Sequence, residues 1–104
     1  MENIKRLQKW YRSQCNEDWE HQYGIKIETL DNPGWAVKID LVNTYLEEIP
    51  FEKVAYGIGE QAELSGEDWL VCEVKGGQFT GFAGPFKLTE ILDIFLNWAE
   101  GKQN

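Results

Sequence analysis

Catalysis near neutral pH needs an activated nucleophile, a paired acid and base, or a metal, and this 104-residue sequence is sparing with all three. Its one histidine, His21, follows Cys15 by six positions. A loop after a helix ending near Cys15 could bring thiol and imidazole together for base-assisted attack. No thiol-enzyme signature surrounds them, and a buried thiol closing the apolar stripe of a helix is the simpler role for Cys15. Cys72 stands between Leu70 and Val74 on one strand face, a core position. The two cysteines share no CxxC spacing, and a single histidine cannot complete a zinc site with them, so two free thiols in a reducing compartment are expected. Carboxylates are plentiful. Glu17, Asp18 and Glu20 surround Trp19, a combination that in a glycosidase would pair acid–base groups with a sugar-stacking indole. Eighteen carboxylates in so short a chain produce such clusters by crowding alone. A second acidic stretch, 59–68, holds Glu60, Glu63, Glu67 and Asp68 with no base, and its spacing does not fit a calcium-binding EF-hand loop. The glycines Gly57, Gly59, Gly66, Gly76, Gly77, Gly81 and Gly84 are spaced for turns and bulges, not for a phosphate loop. No cofactor and no metal is called for, and the protein is expected to bind rather than to catalyse.

Charge narrows the choice of partner. Ten Lys and Arg against eighteen Asp and Glu give a net charge of −8, which repels nucleic acid and anionic membranes and suits a basic protein. Lys5, Arg6, Lys9 and Arg12 all fall in the first twelve residues, so the remainder carries six bases against seventeen acids. These four form an ordinary solvated helix face. No apolar run approaches the ~18 residues of a membrane span, and Met1 to Arg6 lead into a charged helix without the apolar core of a signal peptide. A cytoplasmic location is the expectation.

The elements that must position these residues follow from hydrophobic periodicity. Ile4, Leu7, Tyr11 and Cys15 recur at helical steps and predict a helix over 2–15. The polar, aromatic stretch 16–24 reads as a loop. Ile25, Ile27 and Thr29, then Trp35, Val37, Ile39 and Leu41, alternate as two strands around the turn Asp31-Asn32-Pro33-Gly34. A third strand is expected within 51–58. Strands over 69–75 and 78–83 flank Gly76-Gly77, a pair suited to the primed turns of a tight hairpin. A second helix is expected over 86–100, with Pro85 at its entrance. Its apolar residues cover roughly 200° of its circumference, wide for one sheet face. The excess is expected to pack between the sheet and the first helix, which favours a monomer over a homodimer. The fold class is α+β in one domain, 1–104: an antiparallel sheet of about five strands with an N-terminal and a C-terminal helix packed against it.

Of the five tryptophans, Trp35, Trp69 and Trp98 sit where core service explains them, and Trp10 lies at the edge of the first helical stripe. Trp19 is different, because no apolar periodicity surrounds it. Two readings stand open: an interface anchor within a carboxylate rim, or a lid folded back over the sheet end. The run LQKWYRSQCNEDWEHQY from Leu7 to Tyr23, the turn into Trp35, Asp68-Trp69 ahead of Cys72, and Gly84-Pro85 leading to Ile91–Trp98 resemble the immunity protein 53 family of bacterial polymorphic-toxin systems. The likeness covers nearly the whole chain. It implies a small α+β protein that binds and silences a cognate protein toxin made by the same cell, and it carries no catalytic residues to transfer. On this reading Glu17, Asp18, Trp19, Glu20, Glu60, Glu63, Glu67 and Asp68 are the expected toxin-binding residues. A basic, nuclease-like toxin matches the charge. The alternative is a small cytosolic enzyme or small-molecule-binding domain built on Cys15 and His21 or on the acidic Trp19 loop.

Overall fold

The computed structural model describes residues 2–58 and 67–101. Five strands, β1 (Ile25–Leu30), β2 (Gly34–Asp40), β3 (Val54–Tyr56), β4 (Leu70–Lys75) and β5 (Gln78–Ala83), form one sheet in the order β1-β2-β5-β4-β3. Every neighbouring pair is antiparallel. Helices α1 (Glu2–Gln14) and α3 (Leu88–Ala99) pack together on one face, and a single turn of helix, α2 (Trp19–Gln22), lies between α1 and β1. The expected α+β architecture is the one observed.

Strand alternation assigns the two faces. Val37, Ile39, Phe79, Leu70 and Cys72 are fully buried under the helices, while Lys38, Thr80 and Glu73 form one cross-strand row on the opposite face. α3 sits tight on β5 because Gly81 has no side chain: a Cβ there would lie 2.4 Å from the Ile91 Cγ2. The turn at Gly76 and Gly77 has φ of 62° and 78°, the left-handed pair that a primed hairpin needs. The wide apolar arc of α3 is absorbed internally, with Ile91, Leu92, Phe95, Leu96, Trp98 and Ala99 all buried.

Three features differ from expectation. The buried line of α1 is Asn3, Leu7 and Trp10, with Tyr11 left 38% exposed, so the helix is rotated by about one residue from the Ile4–Leu7–Tyr11–Cys15 stripe. The larger Trp10 ring wins the core position, edge-on to Phe95 at 5.0 Å, and the cost of burying Asn3 is met by hydrogen bonds to Thr89 and Asp93 on α3. The segment 16–24 is partly helical rather than all loop. Asn16 Oδ1 accepts the amides of Asp18 and Trp19, which winds the chain into α2. The last helix starts at Leu88 rather than Phe86.

The crossing from β2 to β3 spans the sheet and is pinned by aromatic side chains. Trp98 Nε1 donates to the Pro50 carbonyl at 2.8 Å, and Tyr45 Oη donates to the Ala99 carbonyl while accepting from Trp10 Nε1. Phe51 packs edge-on against Phe79 and Trp98. Trp19 Nε1 and Trp35 Nε1 likewise donate to the carbonyls of Val42 and Pro85, so four of the tryptophans each tie a connecting segment or side chain to the core.

Candidate functional site

The residues singled out from the sequence divide between two ends of the sheet. Glu17, Asp18 and Glu20 lie beside Gly24, whose carbonyl accepts the Asp40 amide, at the end of β2. Glu67 and Asp68 lie at the other end: the Gly84 amide donates to the Trp69 carbonyl, and Ala83 is paired with both Trp35 and Leu70. The seven residues of β2 separate these ends by about 20 Å. Glu17, Asp18 and Glu20 are therefore not continuous with Glu67 and Asp68. Glu60 and Glu63 lie outside the described residues.

At the first end Trp19 is core, only 2% exposed, ringed by Trp10, Tyr11 and Tyr23 at centroid distances of 6.1 to 6.3 Å. The lid reading describes its position. What remains exposed is carboxylate: Glu17 and Asp18 face solvent. Glu20 turns inward on its own loop, accepting the amides of Asn16 at 2.9 Å and Glu17 at 2.8 Å. Backbone amides, its own first and then these two, hold its carboxyl below the usual range. Cys15 donates to the Tyr11 carbonyl at 3.4 Å, and His21 is exposed on α2.

The second end is built around Lys87. Its ammonium meets Asp68 Oδ1 at 2.9 Å and Glu90 at 3.6 Å, and lies 5.4 Å from the centre of the Tyr56 ring. The hydrogen bond to Asp68 is the main cause holding its pKa above the ordinary lysine value. Tyr56 donates to Glu90 at 2.9 Å, and burial first, then that carboxylate, raises its own pKa. Backbones pack closely here. A Cβ at Gly84 would lie 2.0 Å from the Glu67 carbonyl oxygen, and one at Gly57 would lie 2.1 Å from that of Asp68. Between Gly84 and Lys87, Phe86 is 78% exposed, and Ile58, next to Gly57, is 44% exposed.

Phe86 was not among the residues expected at a site. Its place after Pro85 reads as the first turn of a helix, and only the later start of α3 frees the ring. Cys72 is fully buried, and burial is the main cause pushing its thiol up to about 12, which leaves it a packing residue. Among the described residues no three His, Cys, Asp or Glu side chains stand together as metal ligands, and no buried side-chain nitrogen or oxygen lacks a hydrogen-bond partner. None of the described helices is long and apolar enough to cross a membrane.

A single layer of helices on one face of a five-stranded antiparallel sheet defines the class: a small α+β protein in which, among the described residues, the buried side-chain polar atoms are hydrogen-bonded. The chain belongs to the immunity protein 53 family, whose model matches residues 4–100. Comparison with curated proteins and with solved structures returns no match. Family membership makes this an immunity protein and implies a cognate toxin as its partner.

Proposed function

We propose that the protein acts in the cytoplasm by binding a basic toxin domain, nuclease-like in its charge, and occluding it without catalysis. The observation that carries the contact surface is Phe86, an aromatic ring 78% exposed on a segment packed against Glu67 and Asp68 and joined to Asp68 by the Lys87 ion pair. An aromatic anchor within a carboxylate rim is suited to a cationic protein surface, because rim charges speed encounter and the anchor slows release. Glu60 and Glu63, which lie outside the described residues, are proposed toxin contacts on their charge alone. Glu17, Asp18 and Glu20, at the far end, extend the negative field that steers a basic partner, and Trp19 supports them from within.

The test is surface plasmon resonance against the cognate toxin domain at two salt concentrations. Phe86→Ala is expected to weaken binding about 30-fold or more, mainly through faster dissociation, with thermal stability unchanged. Glu67→Lys is expected to slow association and flatten its salt dependence. Unchanged kinetics for both variants, with the fold verified by circular dichroism, would show that the toxin meets another face.

A further inference from the structure

The sheet has two edges, and they are guarded very differently. β3 is three residues long, follows Pro50, and stops at Gly57, where φ is +70°. β1 is six residues long with an unbroken register to β2 from Ile25↔Ile39 to Leu30↔Gly34, without proline or bulge. Natural sheets blunt such edges, because a long regular one offers a ladder of free amides and carbonyls to another chain. β1 also carries Ile27, 39% exposed, on the helix-facing side.

Hydrogen-bond phase fixes what this edge can accept. The Asp40 amide donates to the Gly24 carbonyl, which makes 24↔40 a bonded pair. In an antiparallel ladder bonded pairs alternate, so Lys26, Glu28 and Leu30 turn their backbone groups toward β2, and Ile25, Ile27 and Thr29 turn theirs outward. A second antiparallel strand related by a two-fold axis must match outward residues with outward residues. The register centred on the strand does so, with Ile27 opposite Ile27, Ile25 opposite Thr29, and Lys26 opposite Glu28.

The charges fit that register. Lys26 stands opposite Lys38 on β2, a like-charge pair, and makes no ion pair among the described residues, whereas Lys38 has Glu28 at 3.9 Å. The Glu28 of a second copy would fall beside Lys26 and neutralise it, twice over by symmetry. Room exists on the helix side. Leu7, Gln8, Tyr11, Gly24 and Ile25 line a shallow groove between α1 and the start of β1, and a Cβ at Gly24 would meet nothing within 4 Å.

We propose that β1 is a self-association edge, two copies pairing β1 to β1 about Ile27 into one continuous sheet with the helices of both copies on the same face. Because a strand edge and the side chains flanking it bury less than a large obligate interface, the dimer forms at micromolar concentrations. Sedimentation velocity from about 1 μM to about 300 μM tests this, with wild type expected to move from monomer mass toward dimer mass. Lys26→Glu sets like charges opposite each other across the two-fold while giving Lys38 a partner within the chain, so the fold is kept and association weakens about tenfold or more. Adding Glu28→Lys restores the cross-strand pairs and is expected to recover the wild-type dimer. Ile27→Pro removes a donor that faces away from β2 and is expected to abolish association. A wild type that stays monomeric across the range, or a double variant no better than Lys26→Glu alone, overturns the proposal. So does a monomer in which Ile27→Pro weakens toxin binding, which would give this edge to a strand of the toxin.

Discussion

Replacing Trp19 by Ala separates core service from interface service. The indole is 2% exposed, touches three other aromatic rings, and satisfies the Val42 carbonyl at 3.0 Å. Truncating a fully buried Trp costs about 3–5 kcal/mol, from lost transfer free energy and the cavity left behind. With a urea m-value of about 1–1.5 kcal/mol/M for a domain of this size, the midpoint should fall by about 3 M. Trp19→Phe keeps most of the packing but leaves the Val42 carbonyl without its donor, and is expected to cost about 1–2 kcal/mol. Both values are read from urea titrations followed by far-ultraviolet circular dichroism at 25 °C, and toxin affinity is measured where each variant remains folded. That affinity should stay within about threefold of wild type, since 1.4 kcal/mol corresponds to tenfold. A Trp19→Ala variant that loses under about 1 kcal/mol of stability yet binds toxin far more weakly would refute the reasoning and return the indole to the interface.

Two further outcomes follow from the thiols and from Glu20. In the native protein a thiol-specific reagent should label Cys15, which is partly exposed, well before Cys72, which is fully buried with a pKa pushed up to about 12; equal rates under native conditions would contradict that burial. Backbone amides hold the Glu20 carboxyl below its unfolded value, so its stabilising contribution is present above the ordinary glutamate pKa of about 4.3 and is lost as pH falls through the folded value. Glu20→Gln should therefore flatten the decline of stability between about pH 5 and pH 3 in acid titrations at fixed urea, and an unchanged slope would remove this carboxylate from the loop's acid sensitivity.

The sheet was legible in the sequence because strand alternation and turn chemistry are local. Asp31-Asn32-Pro33-Gly34 and Gly76-Gly77 each announce a reversal, and both hairpins form there. What periodicity could not settle was competition between neighbours on a helix. Trp10 displaced Tyr11 from the α1 interface because α3 approaches from its side, a fact about tertiary packing that no window on residues 2–15 contains. Trp19 posed the same problem in a loop: its fate was decided by the Val42 carbonyl, 23 positions away. The acidic stretches were visible as composition, but the placement of Glu17, Asp18 and Glu20 at the opposite strand end from Glu67 and Asp68 depends on strand order. Phe86 was hidden by the Pro85 signal, which marks a helix entrance without fixing which residue begins the helix.

The two long helices hold each other across nearly the full sequence: Asn3 bonds to Thr89 and Asp93, and Arg6 bonds to Asn97 and Glu100, at separations of 86 to 94 residues. α3 is thus synthesised after everything it covers. At about 5–20 residues per second, the stretch from Ala83 to Ala99 takes roughly 1–3 s to add, and in that interval the completed sheet has no α3 over its apolar side. A chain ending before α3 lacks Ile91, Leu92, Phe95, Leu96 and Trp98 of the buried core. An immunity protein built this way gains the cover over its core only once its final helix has been made.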